Sequence, residues 1–387
     1  MNARKITFWA LANYIVLAFA GVLLRYLQLY ALPGFSYQFL LHSHSHFAFS
    51  AWMFLSLAFL IVKACNDEKL SRSFKPVVTL TLISSFGMLV SFAMQGYKPV
   101  SITFSTLFIF VTYGFTYIVL KNKSYRKLNP VSRSFLKAAL FFLCLSSLGP
   151  YTLAPLAANG LKDTQYYQNA IYFYLHFQMN GWMLFGALTL IAHRFNLQVP
   201  EYGLYKKWLL LFIGSTGPLY FIFTLWAKPS AFFAGIALFS SLFNLAGWLS
   251  IFFIFFRQRK NVFLLNAALI AITLKVLFQV LICFPAIGEW TFNNRNLIIG
   301  YIHLIALGCI SPVILQGLTE SSPVISSRTG LFGKKFFIAS VVALLVLLFV
   351  QPLLSLFGIW IPGYMFLLLG VSVVLLVAGV VFVVGLV

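Results

Sequence analysis

The chain has 387 residues, of which 61% are hydrophobic and only 9% charged, with a formal net charge of +21. No soluble domain of this length has that composition, which fits a polytopic membrane protein. The basic excess is scattered among short connections between apolar runs, and no nucleic-acid motif accompanies it, so nucleic acid is excluded as a partner and the lipid bilayer is expected instead.

Apolar runs long enough to cross a bilayer fall at 6–26, 39–63, 76–95, 99–120, 133–156, 168–192, 204–226, 231–256, 262–284, 296–318, 335–356 and 360–386. The first follows Arg4 and Lys5 and has no small-residue cleavage pattern, so it reads as a span and not as a signal peptide. Proline and glycine mark many ends: Pro33-Gly34, Pro99, Pro130, Pro200, Pro229, Pro285 and Pro362. No connection is long enough for a second domain, and no strong internal repeat is visible, which disfavours an inverted-repeat transporter. The expected fold class is all-α: a polytopic membrane helix bundle of about twelve transmembrane helices, one integral membrane domain over residues 1–387.

With the N-terminus inside, twenty-one lysines and arginines collect on the inner side. Only Arg25, Lys98, Lys162, Lys228 and Arg295 fall outside. Positive charge marks the cytoplasmic side, so both termini are expected to be cytoplasmic, in a multi-pass protein of the cell's inner (cytoplasmic) membrane.

Even-numbered spans then run inward. His46, His176 and His303 lie about seven or eight residues into spans two, six and ten, roughly 10–12 Å below the outer boundary at the helical rise. Imidazole at that depth is costly unless hydrogen-bonded or ligated, and it is the usual ligand of haem iron and of copper. In Leu41-His42-Ser43-His44-Ser45-His46-Phe47, His42 and His46 are four apart and share a helix face, while His44 points elsewhere. The plain alternative is a water-exposed helix start. Tyr172, His176 and Asn180 repeat at intervals of four along one stripe, with Gln178 offset; they could orient His176 as a ligand or simply hold neighbouring helices together. His303 follows Tyr301 and could also be an ordinary core histidine. His193, beside Arg194, reads as interfacial.

Lys275 is the one charged residue deep in a span, about nine residues or roughly 13 Å below the outer surface, and no span carries a carboxylate at that depth. It could face a haem propionate, a quinone or an anion, or rest neutral. Cys65, Cys144, Cys283 and Cys309 form no CxxC pair and read as small hydrophobes. HExxH, GxxxxGK[ST], GxSxG and CxxCH are all missing, which disfavours a zinc protease, an NTPase, an elbow-type hydrolase and covalently attached haem.

Twelve spans with histidines in the second, sixth and tenth resemble subunit I of the haem–copper oxidase superfamily, which includes nitric oxide reductases. The segment Leu41–Trp52 (Leu-His-Ser-His-Ser-His-Phe-Ala-Phe-Ser-Ala-Trp) is similar to the His-x-His start of the second helix in divergent members and in the related NnrS membrane proteins. In His176-Phe177-Gln178-Met179-Asn180-Gly181-Trp182, His176 would stand for the sixth-helix histidine, and His303 for the tenth-helix one. The resemblance implies a b-type haem held by one of His42, His44 or His46 together with His303. It makes His176 a distal group or copper ligand, with Tyr172, Asn180 and Lys275 around the cofactor. The sequence departs from the family in span seven, which lacks the copper-binding histidines, and in span ten, which has one histidine where oxidases have two. Asn180 replaces the tyrosine partner of many oxidases. One bis-histidine haem, or a simplified haem or copper site, fits this count better than an oxygen-reducing binuclear centre.

The expected role is electron transfer, or handling or sensing of a diatomic gas such as oxygen or nitric oxide. Activity would be oxidoreductase-like, and the partner an electron donor or respiratory complex. Two rivals are a histidine-lined transporter of a metal ion or small anion, and an accessory subunit using the site structurally.

Overall fold

A computed structural model describes residues 3–197, 203–258, 260–321 and 328–384. Pro200, Arg259 and the last residues of the run expected at 360–386 lie outside these. All regular elements among the described residues are helical. The long helices are α1 (Ala3–Tyr26), α2 (Tyr37–Ala64), α3 (Glu68–Gln95), α4 (Pro99–Asn122), α5 (Pro130–Ala158), α6 (165–195), α7 (Tyr205–Ala227), α8 (Ala231–Gln258), α9 (Phe263–Leu281), α10 (Arg295–Glu320), α11 (Arg328–Ser355) and α12 (Tyr364–Val384).

Eleven of these are long and apolar enough to cross a membrane. The remaining one, α6, is helical throughout, but His176, Gln178 and Asn180 interrupt its apolar run. Large apolar side chains stand exposed along the helices, among them Met94, Phe110, Phe232 and Phe253. Such a surface suits contact with lipid tails.

Local chemistry sets where the helices begin. Ser36 caps α2 by accepting from the Phe39 N–H, and Asp67 accepts from the Leu70 N–H. The Asp67 cap starts α3 at Glu68, eight residues before the expected 76, and the chain bends at Phe74 before continuing from Lys75. Asn129 caps α5 with Pro130 in its first turn, ahead of the expected 133. In contrast, α12 begins at Tyr364, after the expected 360, because Pro362 and the left-handed Gly363 (φ 63°) hold a turn there.

The chain divides into two compact units, residues Met1–Ser124 with Ile314–Val387, and Tyr125–Val313. In the first unit, α1 packs on α12, with Tyr14 Oη donating to the Leu375 carbonyl at 3.2 Å. Also in this unit, α2 and α3 are joined by Ser43 Oγ, which donates to the Leu89 carbonyl at 2.6 Å. In the second unit, α5 and α6 approach so closely that a Cβ on Gly181 would lie 2.5 Å from Phe142 Cβ. Close backbone approach through small residues is how membrane helices gain contact when lipid competes for apolar surface. In the same unit, α7 and α8 meet at Gly247, where a Cβ would lie 2.8 Å from the Phe212 nitrogen.

Candidate functional site

In the first unit, the start of α2 presents its histidines on two faces, as a helical spacing of two and four requires. His42 and His46 both lie against Tyr97, with ring centroids 4.7 and 5.8 Å away. The His46 ring stacks on Phe92 at 4.3 Å and its Nε2 pairs with the Tyr97 hydroxyl at 2.9 Å. His44 faces α1, where a Cβ on Gly21 would lie 3.4 Å from its Cε1. Tyr97 is delivered by the turn at Gly96, whose φ of 64° suits glycine and whose missing Cβ leaves room for the Phe39 ring 2.5 Å away. Ser101 fastens that turn by donating to the Gly96 carbonyl at 2.6 Å.

In the second unit, a buried polar seam runs from α7 through α6 to α9. His176 is 1% exposed. Its Nε2–H donates to the Thr216 carbonyl at 2.8 Å, and Asn180 Nδ2 donates to its Nδ1 at 3.3 Å. Both ring nitrogens are therefore engaged by protein groups. The Thr216 carbonyl sits where α7 tightens from an α-helix ending at Ser215 to a 3-10 helix starting at Pro218. A change of hydrogen-bonding register leaves a carbonyl at the junction in need of a donor, and His176 supplies one. Gln279 Nε2 on α9 donates in turn to Asn180 Oδ1 at 3.4 Å. Gln178 turns the other way and donates to Ser146 Oγ of α5 at 2.9 Å.

Tyr172, one turn before His176 on α6, lies near the rings of Phe223 and Trp226, and the His176 ring also approaches Phe223, at 5.3 Å. The buried Tyr301 hydroxyl comes within hydrogen-bonding reach of Asn180 and Gln279, with no close, well-aligned hydrogen bond to either. Lys275, 1% exposed, lies within electrostatic reach of His176 and of the Cys309 thiol. His303 Nδ1 hydrogen-bonds the Ile299 carbonyl one turn back at 2.8 Å. The carbonyl can only accept, so Nδ1 carries the proton and the lone pair resides on Nε2. His193 is exposed at the far end of α6.

The three histidine-bearing helices share a feature that apolar patterning does not reveal. Each changes to a seven-residue π-helical segment just after its histidine: Ala48–Phe54 after His46, Phe177–Met183 after His176 and Leu304–Ile310 after His303. Single π turns inside α-helices are uncommon and gather at functional sites. Side chains hydrogen-bond to carbonyls in and around these segments. Ser50 donates to the His46 carbonyl at 2.8 Å, Asn13 of α1 to that of Ala51 at 3.1 Å, and Ser311 to that of Ala306 at 2.8 Å. The segments also align in sequence. Five residues after each of His46, His176 and His303 stands a small residue (Ala51, Gly181, Gly308), followed by Trp52, Trp182 or Cys309. This short repeat was open to sequence inspection, where no strong internal repeat was expected.

No protein-family model and no curated protein matches this chain. Its site is therefore read from its own residues. Sequence reasoning missed Tyr97, Gln279 and the Thr216 carbonyl. Gln279 lies four residues beyond Lys275 and was findable as a helical stripe; a backbone carbonyl leaves no signature beyond the nearby Pro218.

Proposed function

We propose that this chain is a multi-pass haem protein of the cytoplasmic membrane, related to haem–copper oxidase subunit I. Its role would be electron transfer or the handling of a diatomic gas. The observation carrying this reading is the surroundings of His303. A protonated Nδ1 on a backbone carbonyl fixes the tautomer and orientation of the ring, as the outer hydrogen-bond partners of metal-bound histidines do. Of the α2 imidazoles, His46 is the one that shares with His303 a small residue five positions on, Ala51 and Gly308. His42 and His44 remain the other two imidazoles of that helix.

His303 is the residue we assign to a b-type haem, which would supply one-electron chemistry at a potential set by its axial ligation and by burial. The residues present do not extend this fit to copper at His176, because neither of its ring nitrogens is left to ligate. We read His176 and Asn180 as the group that holds α6, α7 and α9 in place. Both termini on the cytoplasmic side, twelve spans and an electron donor as partner belong to the same proposal, supported by the distribution of lysine and arginine. The test is a reduced-minus-oxidised spectrum of protein purified with haem supplied. Soret and α-band changes lost in His303→Ala support the reading, and a featureless difference spectrum overturns it.

A second reading is a transit site for a small anion, favoured by the buried ammonium of Lys275. Saturable anion uptake into vesicles, abolished by Lys275→Met and indifferent to haem content, would support it.

A further inference from the structure

We propose that Lys275, Gln279 and Tyr301 form a binding site for one small monovalent anion inside the second unit. The inference rests on these residues alone and holds with or without haem.

Two buried polar oxygens here lack a well-formed hydrogen bond, and a buried lysine lies one helical turn away on the same face of α9. Among the described residues, Lys275 makes no hydrogen bond and no ion pair with a carboxylate, although it is 1% exposed. The two oxygens are Gln279 Oε1 and Tyr301 Oη. Orphaned groups of this kind are rare in folded proteins, and each one calls for a ligand, an ion or water. An ammonium enclosed at membrane depth is the most expensive of the three, since a buried charge persists only when paired.

The geometry favours an anion over other ligands. Lys275 and Gln279 are four residues apart on one face of α9, and Tyr301 on α10 borders Gln279. An ammonium carries three donors, so it can serve a bound anion and the Gln279 amide oxygen together, while the Tyr301 hydroxyl donates to the anion. One positive charge calls for one negative charge. The ligand must be small because α9 and α10 almost touch beside the site: a Cβ on Gly308 would lie 3.2 Å from that of Ala271, one turn before Lys275. A halide or a planar oxyanion such as nitrite or formate meets these limits, whereas a carboxylate on a long chain does not.

The experiment is thermal unfolding of the full chain in detergent. Sodium chloride, nitrite or formate replaces sodium gluconate at constant ionic strength. Wild type is expected to show a saturable rise in Tm of about several degrees, the linkage expected of a ligand that binds only the folded state. Lys275→Met is expected to lose the rise, and Lys275→Arg to retain at least part of it. Chloride NMR linewidths of the wild-type protein, broadened by binding and narrowed again by added nitrite, give the same answer if Lys275→Met does not fold. A response that fails to saturate, or that persists in Lys275→Met, overturns the proposal, as does chloride broadening that nitrite leaves unchanged.

Discussion

His176 on α6 and Thr216 on α7 are joined by a 2.8 Å hydrogen bond from imidazole to backbone carbonyl, at the point where α7 changes from α to 3-10 geometry. The bond fixes the tautomer of His176 and turns its other nitrogen toward Asn180. A residue expected to bind metal thereby becomes the centre of a seam that links helices.

Asn180→Ala should expose the value of that seam. It leaves His176 Nδ1 and Gln279 Nε2 buried without partners, at a cost of about 1–3 kcal/mol. A lower Tm in detergent is expected, with much of the loss recovered when Gln279→Leu is added. An unchanged Tm in the single variant would show that the seam carries no stability.

The contact between α5 and α6 is equally testable. Gly181→Ala places a Cβ 2.5 Å from that of Phe142 and should destabilise by about 1–3 kcal/mol. Shortening the opposing side chain with Phe142→Ala should make the Gly181→Ala change markedly cheaper, so a double-mutant cycle on thermal unfolding will show strong coupling. Additive losses would place the strain elsewhere.

The helices themselves were legible because runs of apolar residues punctuated by proline and glycine dictate membrane-length helices. Their starts were less so, since they depend on single caps: Asp67 moves α3 to an earlier start, and Gly363 delays α12. The histidines could be found and their faces assigned from spacing alone. Their partners could not, because Tyr97 comes from a turn far along the chain and Thr216 acts through its backbone. The π segments leave no mark in the periodicity of hydrophobicity, and a bond that one of them receives from a neighbouring helix, Asn13 to the Ala51 carbonyl, comes from a residue far away in sequence.

Orientation can be read chemically. An impermeant thiol reagent added to intact cells should label Lys98→Cys and Lys162→Cys, and spare Lys69→Cys and Lys127→Cys until the membrane is opened. The native cysteines give little background, as Cys65 and Cys309 are buried and Cys144 and Cys283 are partly covered. The reverse labelling pattern would invert the topology.

Tyr97 competes for the nitrogen that His46 would offer to iron, through the 2.9 Å contact to Nε2. Removing a hydrogen bond of about 0.5–1.5 kcal/mol should tighten haem retention by about two- to tenfold in Tyr97→Phe. Haem titration of the apoprotein measures this directly. Weaker retention in Tyr97→Phe would exclude His46 as a haem ligand.

The most direct test of the central claim is haem quantitation on the purified protein, combined with low-temperature electron paramagnetic resonance of its oxidised form. The account predicts bound haem with a low-spin signal that disappears in His303→Ala and survives in His176→Ala. Protein that folds and is supplied with haem yet binds none, or a signal lost in His176→Ala while His303→Ala retains it, would contradict the account.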